Sequence, residues 1–276
     1  MAREPYFDGP PRFDVGLSPI KLDTWLLPDD QAAWLASKNR LIDTQASDVF
    51  AELVQSTSAQ AEAAALIRAT CDVPIRIGEA PLLAASRLVS DDLVIMEHRD
   101  GAWTTTACCL CSPTFFSAHH ALGKSLMALH EPVPDGDFGL AQRIGRVFSN
   151  LPKDTVLERH NWTIQWSDAR FTPDGEVLRD QAARADISQA RDHIFLRVER
   201  QTIRSLPQTK AILFTIRIRL SPLARLLANP LHVAAFTSAW QNASEPVRVY
   251  KKWAVLERHV AAILAQTRPP TFISAR

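Results

Sequence analysis

The stretch IFLRVERQTIRSLPQTKAILFTIRIRL, residues 194–220, decides the fold class. In its second half Phe214, Ile216 and Ile218 alternate with Thr215, Arg217 and Arg219, the period of two that sends successive side chains to opposite faces of a strand. Strands are therefore predicted over residues 210–220 and 194–205. In the latter, Arg197, Glu199 and Gln201 share one face, and Arg200 and Arg204 lie on the other. A third strand is expected over residues 156–166, separated from the second by a polar insertion at 167–192.

Upstream, LVIMEH from Leu93, the turn signal Arg99-Asp100-Gly101 and the Thr-rich AWTTTACCLC read as a β-hairpin. Residues 117–130 suggest a short helix stopped by Pro132 and Pro134, and residues 137–151 a second one with Leu140, Ile144, Val147 and Phe148 on one side. Near the N-terminus, Asp29 and Asp30 can cap a helix from Gln31 with Trp34, Leu35 and Leu41 on its apolar stripe. Another helix is expected over 47–71, and two more at 222–242 and 246–265. Residues 1–28 hold five prolines and read as an extended arm laid over the domain. Strands and helices do not alternate as a parallel sheet requires. The expected class is α+β, an antiparallel sheet with N- and C-terminal helical flanks.

Lys+Arg total 31 against Asp+Glu 30, so no overall field steers the chain to nucleic acid or an anionic membrane. No run reaches the roughly 18 apolar residues of a membrane span, and the first residues are too charged for a signal peptide. A cytoplasmic protein is expected. Of four cysteines, Cys108, Cys109 and Cys111 are too closely spaced for a disulfide framework and are expected to be free thiols in a core strand. No Gly-rich loop follows a strand, so a P-loop and a dinucleotide fingerprint are both missing. None of the eight histidines forms an H-x-x-x-H pair.

Three segments together resemble the haem-dependent oxidative N-demethylase-like family. They are residues 88–134, containing LVSDDLVIM, CLCSPTFF and ALGKSLMALHEPVP; RHNWTI at 159–164; and LRVERQTIRSLPQTKAILFTIRIRLSPL at 196–223. VGLSPIKLDTWLLPDD, from Val15, extends the similarity. The resemblance implies one domain, with an arm at 1–28, a helical part at 29–75, a PAS-like core at 88–221 and C-terminal helices at 222–266. It further implies haem b, oxygen activation at its iron, and hydroxylation of an N-methyl group that then leaves as formaldehyde. Electrons would come from NADPH through FMN and [2Fe-2S] centres on separate proteins, and a folate-dependent partner would accept the formaldehyde.

Within the resemblance, His130 in the L-H-x-P-V-P turn is the expected axial ligand, with His160 and His120 as alternatives. A helix-capping role for His130 is the competing reading. Arg159, Arg200, Arg204 and Trp162 are candidate cofactor contacts, guanidinium groups being suited to propionates. Glu199 and Arg197 are the candidate catalytic pair, Glu199 toward a cationic amine. A solvated sheet face would explain the same polar alternation. Where the family usually has C-F-P-S-x-W, this chain has Cys111-Ser112-Pro113-Thr114-Phe115-Phe116, so dimethylamine is not assumed as substrate. A non-catalytic haem sensor of gas or redox state is the alternative function.

Overall fold

The computed structural model describes residues 4–27, 32–71, 78–114, 116–134 and 138–266. Among the described residues seven strands form one sheet: β1 Ser18–Ile20, β2 Phe50–Glu52, β3 Asp92–Arg99, β4 Ala102–Cys109, β5 Val156–Trp166, β6 Ile194–Ser205 and β7 Ile212–Pro222, in the spatial order β1-β5-β6-β7-β3-β4-β2. All neighbours pair antiparallel. The α+β class and the antiparallel sheet expected from the element order are thus what the chain forms.

Helices surround the sheet: α1 Ala32–Val49, α2 Thr57–Cys71, α3 Pro81–Ser86, α4 Ala118–Ala121, α5 Leu126–His130, α6 Phe138–Asn150, α7 Glu176–Arg184, α8 Ala190–His193, α9 Pro230–Gln241, α10 Glu245–Tyr250 and α11 Glu257–Leu264. The β3–β4 turn has Asp100 at φ 49° and Gly101 at φ 80°, the pair of left-handed residues that lets a two-residue loop follow the sheet twist. At the other hairpin, the carboxylate of Glu62 in α2 accepts the backbone N–H groups of Gln208 (2.7 Å) and Thr209 (2.9 Å), fixing the loop between β6 and β7.

Several expected helices are shorter than their apolar patterns suggested. The one anticipated over 47–71 begins only at Thr57, because Phe50–Glu52 pairs with the otherwise open edge of β4. The region expected to be one helix at 117–130 is split by Gly123 at φ 75°, whose N–H donates to the Thr105 carbonyl. Asn229 interrupts the 222–242 segment by capping α9, its side chain accepting the Leu231 N–H at 2.9 Å with Pro230 in the first turn. Lys252, at φ 55°, breaks the last one between α10 and α11. The proposed cap at Asp29 and Asp30 lies outside the described residues.

The two faces of the central sheet carry different loads. One buries Trp162, Ile164, Leu196 and Val198 against Phe236, Trp240 and Trp253 of the C-terminal region, and Leu93, Ile95 and Leu213 against α2 and α3. The N-terminal arm is tied to this face: Arg200 donates to the Thr24 and Trp25 carbonyls (both 2.7 Å), and Arg217 to that of Leu27. Beneath the arm Arg217 also pairs with buried Asp91 at 2.7 Å. The other face meets α5 and α6 through Val94, Met96, Ile203, Leu126 and Phe148, and stays open toward β5 and β6. The site lies there.

Candidate functional site

A cavity of about 660 Å³ opens between this second face and α5, α6 and the turn after α10. It falls within the size range of small-molecule and cofactor sites. Strand register grades its floor from polar to apolar. Thr163 stands opposite Arg197, Asn161 opposite Glu199, and Arg159 opposite Gln201. Farther along come Ile203 opposite Phe214, and Phe214 opposite Val94. Leu126, Leu129, Ile144 and Phe148 close the apolar side. Alternation in three adjacent strands therefore produces both the fold and the lining.

At the polar end Arg197 is fully buried, 1% exposed. Its Nη2 donates to the Ser112 carbonyl, its Nη1 to Gln165 Oε1 at 3.4 Å, and its Nε to Glu199 Oε1 at 3.3 Å. The Ser112 carbonyl is itself held in place, since buried Asp92 accepts the backbone N–H groups of Cys111 (2.9 Å) and Ser112 (2.8 Å). Glu199 Oε1 also accepts from Thr114 Oγ1 at 3.2 Å, and Oε2 accepts from Gln201 (3.1 Å) and Asn161 (3.4 Å). Four donors occupy the carboxylate, the full capacity of two oxygens. Burial works to raise the Glu199 pKa, but Arg197 and Lys251 outweigh it and hold the carboxyl below its usual range.

His130 ends α5 and borders the cavity. Its Nδ1 lies 2.7 Å from the Leu126 carbonyl, one turn back, so Nδ1–H donates and Nε2 keeps a lone pair. Burial lowers its pKa, the carbonyl opposes that, and Arg159 adds to the lowering. The neutral imidazole is favoured. Arg159 donates to the Asp14 carbonyl at 2.7 Å and to that of Arg12 at 3.4 Å, while its buried Nε has no acceptor.

The remaining sequence-selected residues divide by face. His120 lines the cavity mouth, with Lys124 Nζ 3.0 Å from its Nε2 and the Phe116 ring edge-on. Arg200, Arg204, Trp162 and His160 are outside the cavity. Arg200 pairs with Glu158, and Arg204 stacks 4.7 Å over the Trp25 ring. Trp162 stacks on Trp253 and donates to the Gly9 carbonyl, and His160 Nδ1 is 3.7 Å from Glu158. These four belong to the packing of the opposite face and of the arm.

Lys251 was not among the candidates. It follows α10, where the left-handed Lys252 turns the chain, and its Nζ reaches Asn161 Oδ1 at 3.4 Å. Burial depresses its pKa to about 8, Glu199 pulling upward and Arg159 and Arg197 pushing down. A lysine inside an expected helix gives no signal of this. The position depends on a turn that its sequence neighbours do not announce.

Cys108, Cys109 and Cys111 are buried and free, with the Cys109 and Cys111 sulfurs 3.9 Å apart. Among the described residues no group of three His, Cys, Asp or Glu side chains could hold a metal ion, and no helix is long and apolar enough to cross a membrane.

The family model described as haem-dependent oxidative N-demethylase, alpha subunit-like, matches residues 66–261. That span runs from α2 to α11 and includes every described residue lining the cavity except Val15 and Leu17. The polar-to-apolar cavity is thus part of what the match covers, and the chain belongs to the haem-dependent oxidative N-demethylase alpha subunit-like family.

Proposed function

We propose that this chain is a haem b-binding oxygenase subunit that oxidises an N-substituted amine, with His130 as the axial ligand. The observation that carries the reading is the His130–Leu126 hydrogen bond. A ligating histidine usually gives its second ring N–H to a carbonyl or carboxylate, which fixes the tautomer and ring orientation. His130 has that bond at 2.7 Å, in the wall of a cavity long enough in apolar side chains to shelter a macrocycle. The competing capping role uses the same bond and would pass the ligand role to another cavity residue such as His120.

The residues fit the group in a second respect. Arg159 offers a buried Nε with no acceptor, and a propionate would satisfy it through a charge-assisted bond. Five of the seven strands also support a PAS-like core: counted from β3, they stand side by side in the order 2-1-5-4-3, the order of a PAS sheet.

Haem, when bound, supplies the oxygen activation that no side chain here can provide. The chain's own contribution is positional. Ile203, Phe214, Val94 and Phe148 exclude water from one end. Arg197 and Glu199 form a fixed pair of charges at the other, each braced by neighbours rather than free to swing. Asn161, between Glu199 and Lys251, links that pair to the only lysine-bearing turn on the described cavity wall. Electrons are proposed to arrive from a separate flavin and iron–sulfur protein that uses NADPH, and a folate-dependent partner to take up formaldehyde.

His130→Ala tests the assignment. The variant is expected to lose hemin on gel filtration, or to retain it with an altered ferrous spectrum restored by added imidazole. Wild-type occupancy with an unchanged ferrous spectrum would give the ligand role to another residue. A haem-loaded protein that, supplied with electrons and oxygen, yields no amine-derived product across a broad panel of amines would favour the sensor reading.

A further inference from the structure

The charges on the cavity wall bear on what enters it. Arg159, Arg179, Arg197, Lys251 and Lys252 line it, against Asp92 and Glu199. Glu199 has no free acceptor position to offer, and Asp92 is buried, 1% exposed. Asp92 is committed to two backbone N–H groups, and Glu199 to four side-chain donors. Among the described residues, an alkylammonium entering without a counter-charge would lose its hydration and meet no carboxylate that is both exposed and uncommitted.

Lys251 stands in the opposite condition. Its ammonium has one long contact, 3.4 Å to Asn161, and faces Glu199 and Arg197 from β6 and Arg159 from β5, while Tyr250, its neighbour in the chain, also lines the cavity. We infer that the substrate carries a carboxylate as well as its N-alkyl amine, and that Lys251 receives that carboxylate. The inference rests on the oxygenase reading and names the substrate class for it: N-alkylated amino acids in place of simple alkylamines.

A haem propionate and the substrate carboxylate would find separate cations along the sheet. Arg159, opposite Gln201 and with a buried Nε that has no acceptor, is the cation assigned to a propionate. Lys251 lies by Asn161 and Glu199, one row of side chains farther along β5 and β6. That spacing leaves the Lys251 end for the substrate's anion and points the N-alkyl group back toward the His130 side. A carboxylate at Lys251 restores the charge that burial disfavours, so binding should take up a proton above pH 8 and weaken as pH rises through about 8.

The test is calorimetric titration of the haem-loaded protein with N,N-dimethylglycine, dimethylammonium and acetate, at pH 7 and pH 9 in buffers of different ionisation enthalpy. The expected result is binding of dimethylglycine in preference to dimethylammonium, with proton uptake at pH 9. Lys251→Met should weaken it about tenfold or more, as removal of one partner of a buried charge pair does. Lys251→Arg should recover most of that loss. Equal or tighter binding of dimethylammonium, or an unchanged dimethylglycine affinity in Lys251→Met, would overturn the inference. Should Lys251→Met instead release hemin while dimethylglycine affinity holds, Lys251 serves a propionate and the inference is likewise wrong. A protein that never takes up hemin would refute the oxygenase reading by a separate observation, and dimethylglycine titrated into that same haem-free protein still decides the role of Lys251.

Discussion

Glu199 shows how a side chain of the expected type at the expected place can have a different job. Its strand position put it on the same face as Arg197 and Gln201, and the cavity lies over that face. Its four donors make it a brace for Arg197 and the counter-charge of Lys251. Glu199→Gln is expected to lower unfolding stability by about 3 kcal/mol, since a buried cation loses its partner. The sign with pH follows. A carboxyl held below its usual range stabilises the fold above that range, and the stabilisation fades as pH falls through the lowered value. Urea titrations of both proteins at neutral and acidic pH would show the difference closing in acid. Unchanged stability with a raised Michaelis constant for the amine would return Glu199 to the substrate-binding role suggested by the sequence.

At the scale of elements, the bounds of β5 and β6 were legible to the residue, with alternation clear in residues 162–166 and 196–199. Alternation also told that Arg200 and Arg204 oppose Arg197 and Glu199. It could not tell which face bears the cavity, since that depends on α5 and α6 covering one side and the C-terminal helices with α2 and α3 covering the other. The same limit hid the short strand β2, whose apolar residues fit a helix equally well until β4 offers an unpaired edge. Helix breaks at Gly123 and Lys252 depend on tertiary hydrogen bonds and turns, so the Lys251 position was invisible. The β6–β7 hairpin contributes Arg197, Glu199 and Gln201 to the polar wall, and Glu62 holds its loop through two backbone N–H groups and the Thr209 hydroxyl. Glu62→Ala is expected to cost about 2 kcal/mol by removing these charge-assisted bonds. A shift in the urea midpoint measures it, and an unchanged midpoint would mean that strand pairing alone fixes the loop.

In the whole molecule, one antiparallel sheet carries a graded cavity in a chain of a family whose description includes haem-dependent oxidative N-demethylation. The sequence shows no fingerprint for a nucleotide cofactor, so the haem-loaded chain is expected to stay oxidised with NADPH until a flavin and iron–sulfur donor is added. Anaerobic reduction by NADPH alone, followed by absorbance, would contradict that division of labour. The most direct test of the central claim is hemin titration of the purified protein with absorption spectra recorded in the oxidised, reduced and CO-bound states. The account predicts saturation at one haem per chain, with Soret bands that shift on reduction and again on CO binding. No Soret band distinct from that of free hemin, at any ratio, would contradict it.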